Sequence, residues 1–169
     1  MDEHDPPASA KDGCTALVAL AARAAVPGIA PDRFIDRLGH DGAGVRPGLP
    51  GILDLARAGA NHLPGHGFRE ELDDGTGGQV RHFCGIATSC RRFGSRLTWS
   101  ASVYLRRDAP DTPDGRLTDL AIEFVERLRR GDLDVRDASD WLQRTLCQPS
   151  DPDAEDPEDD EPDPPATFA

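Results

Sequence analysis

Arg81, His82 and Cys84 form the only tight cluster of chemically capable side chains in this sequence, within the stretch from Gly78 to Phe93. A histidine near neutral pH can act as general acid or base. A carboxylate from the acidic run just upstream, Glu70, Glu71 or Asp74, could orient the His82 ring, and Arg81 could hold an anionic substrate group. Gln79 adds a third polar group to the same stretch, and if buried it needs a hydrogen-bond partner. The competing reading is structural: His82 bonds a nearby carbonyl, and Arg81 pairs with the acidic loop.

Other chemistries find less support. His62 and His66 are four residues apart, but Pro64-Gly65 between them prevents a shared helix face. They could converge with His40, His82, Asp73 or Asp74 only through loop geometry, so no metal and no cofactor is assigned. The run Asp73-Asp74-Gly75-Thr76-Gly77-Gly78 precedes a helix, yet its two aspartates disfavour a phosphate there. Asp74 or Thr76 is expected to cap the helix instead. Gly42-Ala43-Gly44-Val45-Arg46-Pro47-Gly48 lacks the preceding strand and spacing of a nucleotide loop. No serine sits in a nucleophile elbow.

The stretch that carries this cluster reads as the most buried helix. On a 100° wheel, Val80, Phe83, Cys84, Ile86, Ala87, Cys90 and Phe93 cover about half the circumference, wider than a surface helix requires. Around it, apolar periodicity predicts helices over Cys14 to Val26, Pro31 to Leu38 and Gly51 to Ala60, the last with Ile52, Leu53, Leu55 and Ala56 inward. A fifth helix is expected from Arg96 to Arg107, with Leu97, Ala101, Tyr104 and Leu105 on one side and Trp99 and Val103 on the other. Arg116 to Arg130 follows, with Thr112 as cap and Pro113 in its first turn. A last helix is capped by Asp134. Gly39 to Pro50 and Asn61 to Gly78 read as loops, and long loops in compact domains are often functional. No period-2 strand and no repeat stands out. The expectation is an all-α, compact bundle of about seven helices: a tail over 1–12, one helical domain over 13–148, and an acidic, proline-rich tail over 149–169, both tails disordered.

The 169 residues carry a net charge of −12, and the segment Asp151 to Asp163 alone holds nine acids and no base. Nucleic acid is therefore a poor partner, because a phosphate backbone needs a basic face. A protein partner fits better, and a basic one if the acidic segment binds it. The apolar run from Leu17 to Val26 is too short to span a bilayer and follows an acidic leader, so no membrane role and no signal peptide is expected. The heavy use of Arg over Lys, 18 to 1, together with Ala, Gly and Pro, suits a bacterial genome of high GC content. Cys84 and Cys90, six apart on one helix, point about 120° apart and cannot pair with each other. All four cysteines, Cys14 and Cys147 included, are expected as small buried hydrophobes in a reducing cytoplasm.

Gln79-Val80-Arg81-His82-Phe83 early in a helix, then Gly115-Arg116-Leu117-Thr118-Asp119 after a further helix, resembles uncharacterised bacterial all-helical domains with an Arg-His-Phe core helix. The resemblance implies a fold class. It leaves two functions to weigh. One is a non-enzymatic interaction or accessory module. The other is a small hydrolase-like enzyme using His82 as general acid or base with a loop carboxylate and Arg81.

Overall fold

In the computed structural model, residues 12–102 and 111–149 are described. They form seven α-helices, as the periodicity predicts: α1 Gly13–Ala24, α2 Pro31–Ala43, α3 Leu49–Ala56, α4 Gln79–Phe93, α5 Ser95–Ala101, α6 Pro113–Arg130 and α7 Ala138–Leu146. No strand occurs among the described residues; two isolated β-bridges are the only extended pairings. Expectations for the two tails, and for Val103 to Arg107 of the fifth helix, lie outside the described residues.

Local signals set most of the boundaries. Asp12 caps α1 by accepting from the Thr15 amide at 2.8 Å. Thr112 does the same for α6 through the Gly115 amide, with Pro113 in the first turn. Gly131, left-handed at φ 78°, ends α6. Asp134 caps a short 3-10 turn, Val135–Asp137, that leads into α7.

α4 lies at the centre, packed mainly between α2 and α6, with further contacts to α1 and α5; α1 packs against α7 and α2. Phe124 of α6 ties four helices together. Its ring centre lies 6.3 Å from Phe34 of α2, 5.5 Å from Phe83 of α4 and 5.2 Å from Trp141 of α7. Tilted aromatic pairs at such distances contribute about 0.5–1.5 kcal/mol each beyond their area. The buried side chains form one core.

The structure departs from the sequence reading in four places. First, α2 does not stop at Leu38 but runs to Ala43, where Gly44, at φ 65°, closes it. Gly39 and Gly42, read as loop residues, are helical and face α4. A Cβ on Gly42 would lie 2.5 Å from Cys84 Sγ, and one on Gly39 would overlap the Thr88 hydroxyl. These glycines let two backbones approach closely.

Second, α3 is anchored by charge more than by burial. Arg46 donates to both Asp54 oxygens, at 2.8 and 3.0 Å, and holds the Asp54 carboxyl down at about 2. Of the four inward positions expected there, only Leu55 is buried. Third, Phe93, Leu97 and Trp99 are exposed, so α4 is open at its end and, among the described residues, both sides of α5 expected to be covered present a large side chain to solvent.

Fourth, Cys14 and Cys147 are not free hydrophobes. They form a disulfide with Cα atoms 5.6 Å apart, across a sequence separation of 133. Closing so long a loop removes unfolded-state entropy worth about 5 kcal/mol in the chain-entropy model. The loop expected at 61–78 is part of the same seam. Cys14 N donates to His66 O at 3.0 Å, Arg69 N to Leu146 O at 2.8 Å, and Gln148 N to Gly67 O at 2.9 Å, while Phe68 is fully buried.

Gly39→Ala should therefore destabilise the protein by about 1–3 kcal/mol, although alanine is the better helix former. Urea denaturation checks this; an unchanged or raised midpoint would show that α2 and α4 can separate at little cost.

Candidate functional site

α4 and α6 together position the polar cluster. His82 falls at the edge of the α4 apolar arc, one turn in, facing the start of α6. There its Nε2 lies 2.8 Å from Thr118 Oγ1, and Ser102 Oγ lies 3.2 Å from the same hydroxyl. On the other side of the ring, Nδ1 is 3.9 Å from Asp114 Oδ2, an ion-pair distance too long for a hydrogen bond. Asp114 and Thr118 are four apart and so share one face of α6. The result is a line of groups, Asp114, His82, Thr118 and Ser102. Thr118 and Ser102 are buried, and the His82 side chain is 11% exposed.

Arg81 and His82 border a cavity of about 40 Å³ whose other walls include Val45, Leu55 and Ala58. A space of this size holds a water molecule or two and no substrate. Ala58, at φ 65°, is the only non-glycine among the described residues with a left-handed backbone. Arg81 makes no ion pair with the acidic loop, nor a hydrogen bond to any described residue; the expected salt bridge is absent.

The predicted carboxylates separate. Glu70 and Glu71 stand exposed on a 3-10 turn, and neither pairs with His82. Asp74 does approach the cluster, but its work is local. Its Oδ1 accepts from the Thr76 amide at 2.9 Å, from the Thr76 hydroxyl at 2.7 Å and from Gln79 Nε2. Burial raises the Asp74 pKa, but these bonds and the nearby His82 charge outweigh it, so the net shift is downward. Gln79, buried as its place in the apolar arc predicts, donates to Asp73 Oδ1 at 3.2 Å as well, while its Oε1 has no partner among the described residues. Neither Asp74 nor Thr76 caps α4; Gly78 holds the cap position without a side-chain bond.

The described histidines do not converge on one site, although His40 and His62 both reach Asp41. His40 bonds Asp41 at 2.7 Å, His66 bonds Asp73 at 3.2 Å, and His62 bonds the Asp41 carbonyl at 3.3 Å. Among the described residues no three His, Cys, Asp or Glu side chains are placed to hold a metal ion. Cys84 is enclosed, and burial, aided by the Asp41 charge, pushes its thiol up to about 12. Burial also raises the Cys90 thiol. Neither is a nucleophile at neutral pH.

Sequence reasoning missed Asp114, Thr118 and Ser102. A signal was present for Thr118, which lies on the α6 apolar face with Leu117, Ala121 and Val125 and so had to bury its hydroxyl.

Thr118→Val keeps the shape but strips the hydroxyl shared by His82 and Ser102. It should cost about 1–2 kcal/mol, and a double-mutant cycle with His82→Ala should show coupling of at least about 0.5 kcal/mol. Asp74 provides a pH test. Its folded pKa lies below its ordinary value, so its contribution is present above the carboxylate range and lost as pH falls through the folded pKa. Asp74→Ala should lower the urea midpoint at pH 6 and narrow the difference between pH 6 and pH 3.

Comparison with protein-family models, with curated proteins and with solved structures finds no match for this chain.

Proposed function

We propose that this chain is a non-enzymatic interaction module that docks a protein partner through the surface made by α3 and α5. The observation that carries the reading is a concentration of large apolar side chains left in solvent there: Leu49 is 79% exposed, Leu97 66% and Leu53 57%, with Ile52, Phe93 and Trp99 beside them in exposure. Ile52, Phe93 and Leu97 among them line one depression, and monomeric proteins rarely leave such residues grouped. Each is worth about 1.5–3 kcal/mol when fully buried.

The hydrolase reading has a specific observation in its favour, the line Asp114, His82, Thr118 and Ser102. Among the described residues it has no opening: the space beside His82 is about 40 Å³, and the two hydroxyls are buried. The more economical role for that line is to satisfy polar groups between α4 and α6. No helix among the described residues is long and apolar enough to cross a membrane. A cytoplasmic location was expected from reduced cysteines; the Cys14–Cys147 disulfide favours an oxidising compartment for this module instead. A bacterial origin remains the reading of the composition.

The test compares Ile52→Ser combined with Leu97→Ser against His82→Gln. The serine pair should shift Tm by no more than a few degrees, and should abolish in-cell adducts from a photo-reactive side chain placed at Phe93. An ester hydrolysis lost in His82→Gln and kept in the serine pair would overturn the interaction reading.

A further inference from the structure

A separate depression, of about 610 Å³, opens where the α1–α2 turn, α2 and the segment after it meet the end of α4. That volume falls within the range of about 300–1,000 Å³ usual for small-molecule sites. It shares no lining residue with the α3–α5 depression.

Three arginines line it: Arg33 and Arg37, one turn apart on α2, and Arg92 near the end of α4. None of the three is paired with an acid. Arg92 donates to the carbonyls of Gly48 at 3.2 Å and Arg46 at 2.8 Å, and Arg37 donates to the Ala24 carbonyl at 3.3 Å. Such bonds orient a guanidinium without cancelling its charge. A Cβ on Gly51 would lie 2.5 Å from Arg92 Nη1, so the glycine leaves room for that group. The Arg33 guanidinium has no partner among the described residues. The neighbouring acids are already engaged. Asp36, on the cavity wall, pairs with Arg91, which does not line the cavity. Asp32, beside Arg33, lies 3.1 Å from Arg129 Nε. Asp41 Oδ1 lies 2.7 Å from His40 Nδ1. Even with His40 neutral and Asp41 charged, three arginines against one uncancelled aspartate leave two positive charges, in a chain of net charge −12.

That surplus selects the ligand. A phosphate monoester carries close to two negative charges near neutral pH and three acceptor oxygens, enough to engage all three guanidiniums. A carboxylate brings one charge and suits a single guanidinium fork. Ile29, Val45 and Pro47 add apolar wall beside the arginines. An inorganic ion would leave that wall in water, whereas an organic body would cover it.

We propose that this cavity binds a small organic phosphate monoester, with Arg33, Arg37 and Arg92 around the phosphoryl group and Ile29, Val45 and Pro47 against its organic body. The site does not depend on the α3–α5 surface.

The experiment titrates the full chain at low salt, by calorimetry, with phenyl phosphate, inorganic phosphate and benzoate. Phenyl phosphate should bind at least about tenfold more tightly than either other probe. Arg33 and Arg37 are exposed, so Arg33→Gln with Arg37→Gln should leave Tm within a few degrees of the parent. That glutamine pair should weaken phenyl phosphate by at least about tenfold. Ile52→Ser with Leu97→Ser should bind it as the parent does. No binding of phenyl phosphate to the parent, or equal binding by the parent and the glutamine pair, overturns the proposal. Benzoate bound as tightly as phenyl phosphate also overturns it and makes the cavity a carboxylate site. Inorganic phosphate bound as tightly overturns the organic body. Binding lost in the serine pair would place the ligand in the α3–α5 depression and overturn the assignment to this cavity.

Discussion

The close approach of α2 to α4 is the constraint on which the remaining structure depends. Gly39 and Gly42 leave no room for a Cβ against Thr88 and Cys84, so the helices meet almost backbone to backbone. With α6 on its other side, α4 loses nearly all contact with water along Gln79 to Cys90. The polar groups buried on it then call for protein partners, because an unsatisfied buried donor or acceptor costs about 1–3 kcal/mol, and Gln79 Oε1 is the exception that finds none among the described residues. Thr88 bonds back to the Cys84 carbonyl at 2.8 Å, and Ser89 to Gly85 at 2.9 Å. His82 turns to Thr118, and Gln79 to Asp73 and Asp74. The cluster with the look of a catalytic centre is thus also what an enclosed helix demands.

The same packing explains why the apolar surface is elsewhere. α4 has two flanks filled by α2 and α6, and Phe124 draws α7 onto the core through Trp141. α3 and α5 are short, of eight and seven residues, and are held at their ends by the Arg46–Asp54 pair and by Gly94. Their outward leucines have no further helix among the described residues to cover them. Such an arrangement suits docking, since apolar groups kept from one another on a rigid base lose little entropy when a partner arrives.

The long connection from Asn61 to Gly78 belongs to stability. Its backbone closes with the start of α1 and with the segment after α7, beside the Cys14–Cys147 bridge. The start of α1 and the segment after α7 are pinned to this connection by the bridges Asp12–His66 and Phe68–Cys147, with Phe68 fully buried between them. A loop's length pointed to function, but its hydrogen bonds point to a seam.

Helix positions follow from the sequence by itself, because 3.6-residue periodicity and caps such as Asp12, Thr112, Gly131 and Asp134 are local properties. The polarity of Gln79 and His82 within an apolar arc was legible for the same reason. What periodicity cannot encode is which faces meet. Ile52, Leu53 and Leu97 have the spacing of core residues yet lie in solvent, since burial depends on a neighbour distant in sequence. Gly39 and Gly42 read as a loop because glycine signals both a turn and a close contact, and only the placement of α4 separates them. The partners of His82 come from α6, 32 and 36 residues onward, and the bond of Cys14 to Cys147 spans nearly the whole described chain. Those pairings were decided by tertiary structure, because only folding brings such residues within reach.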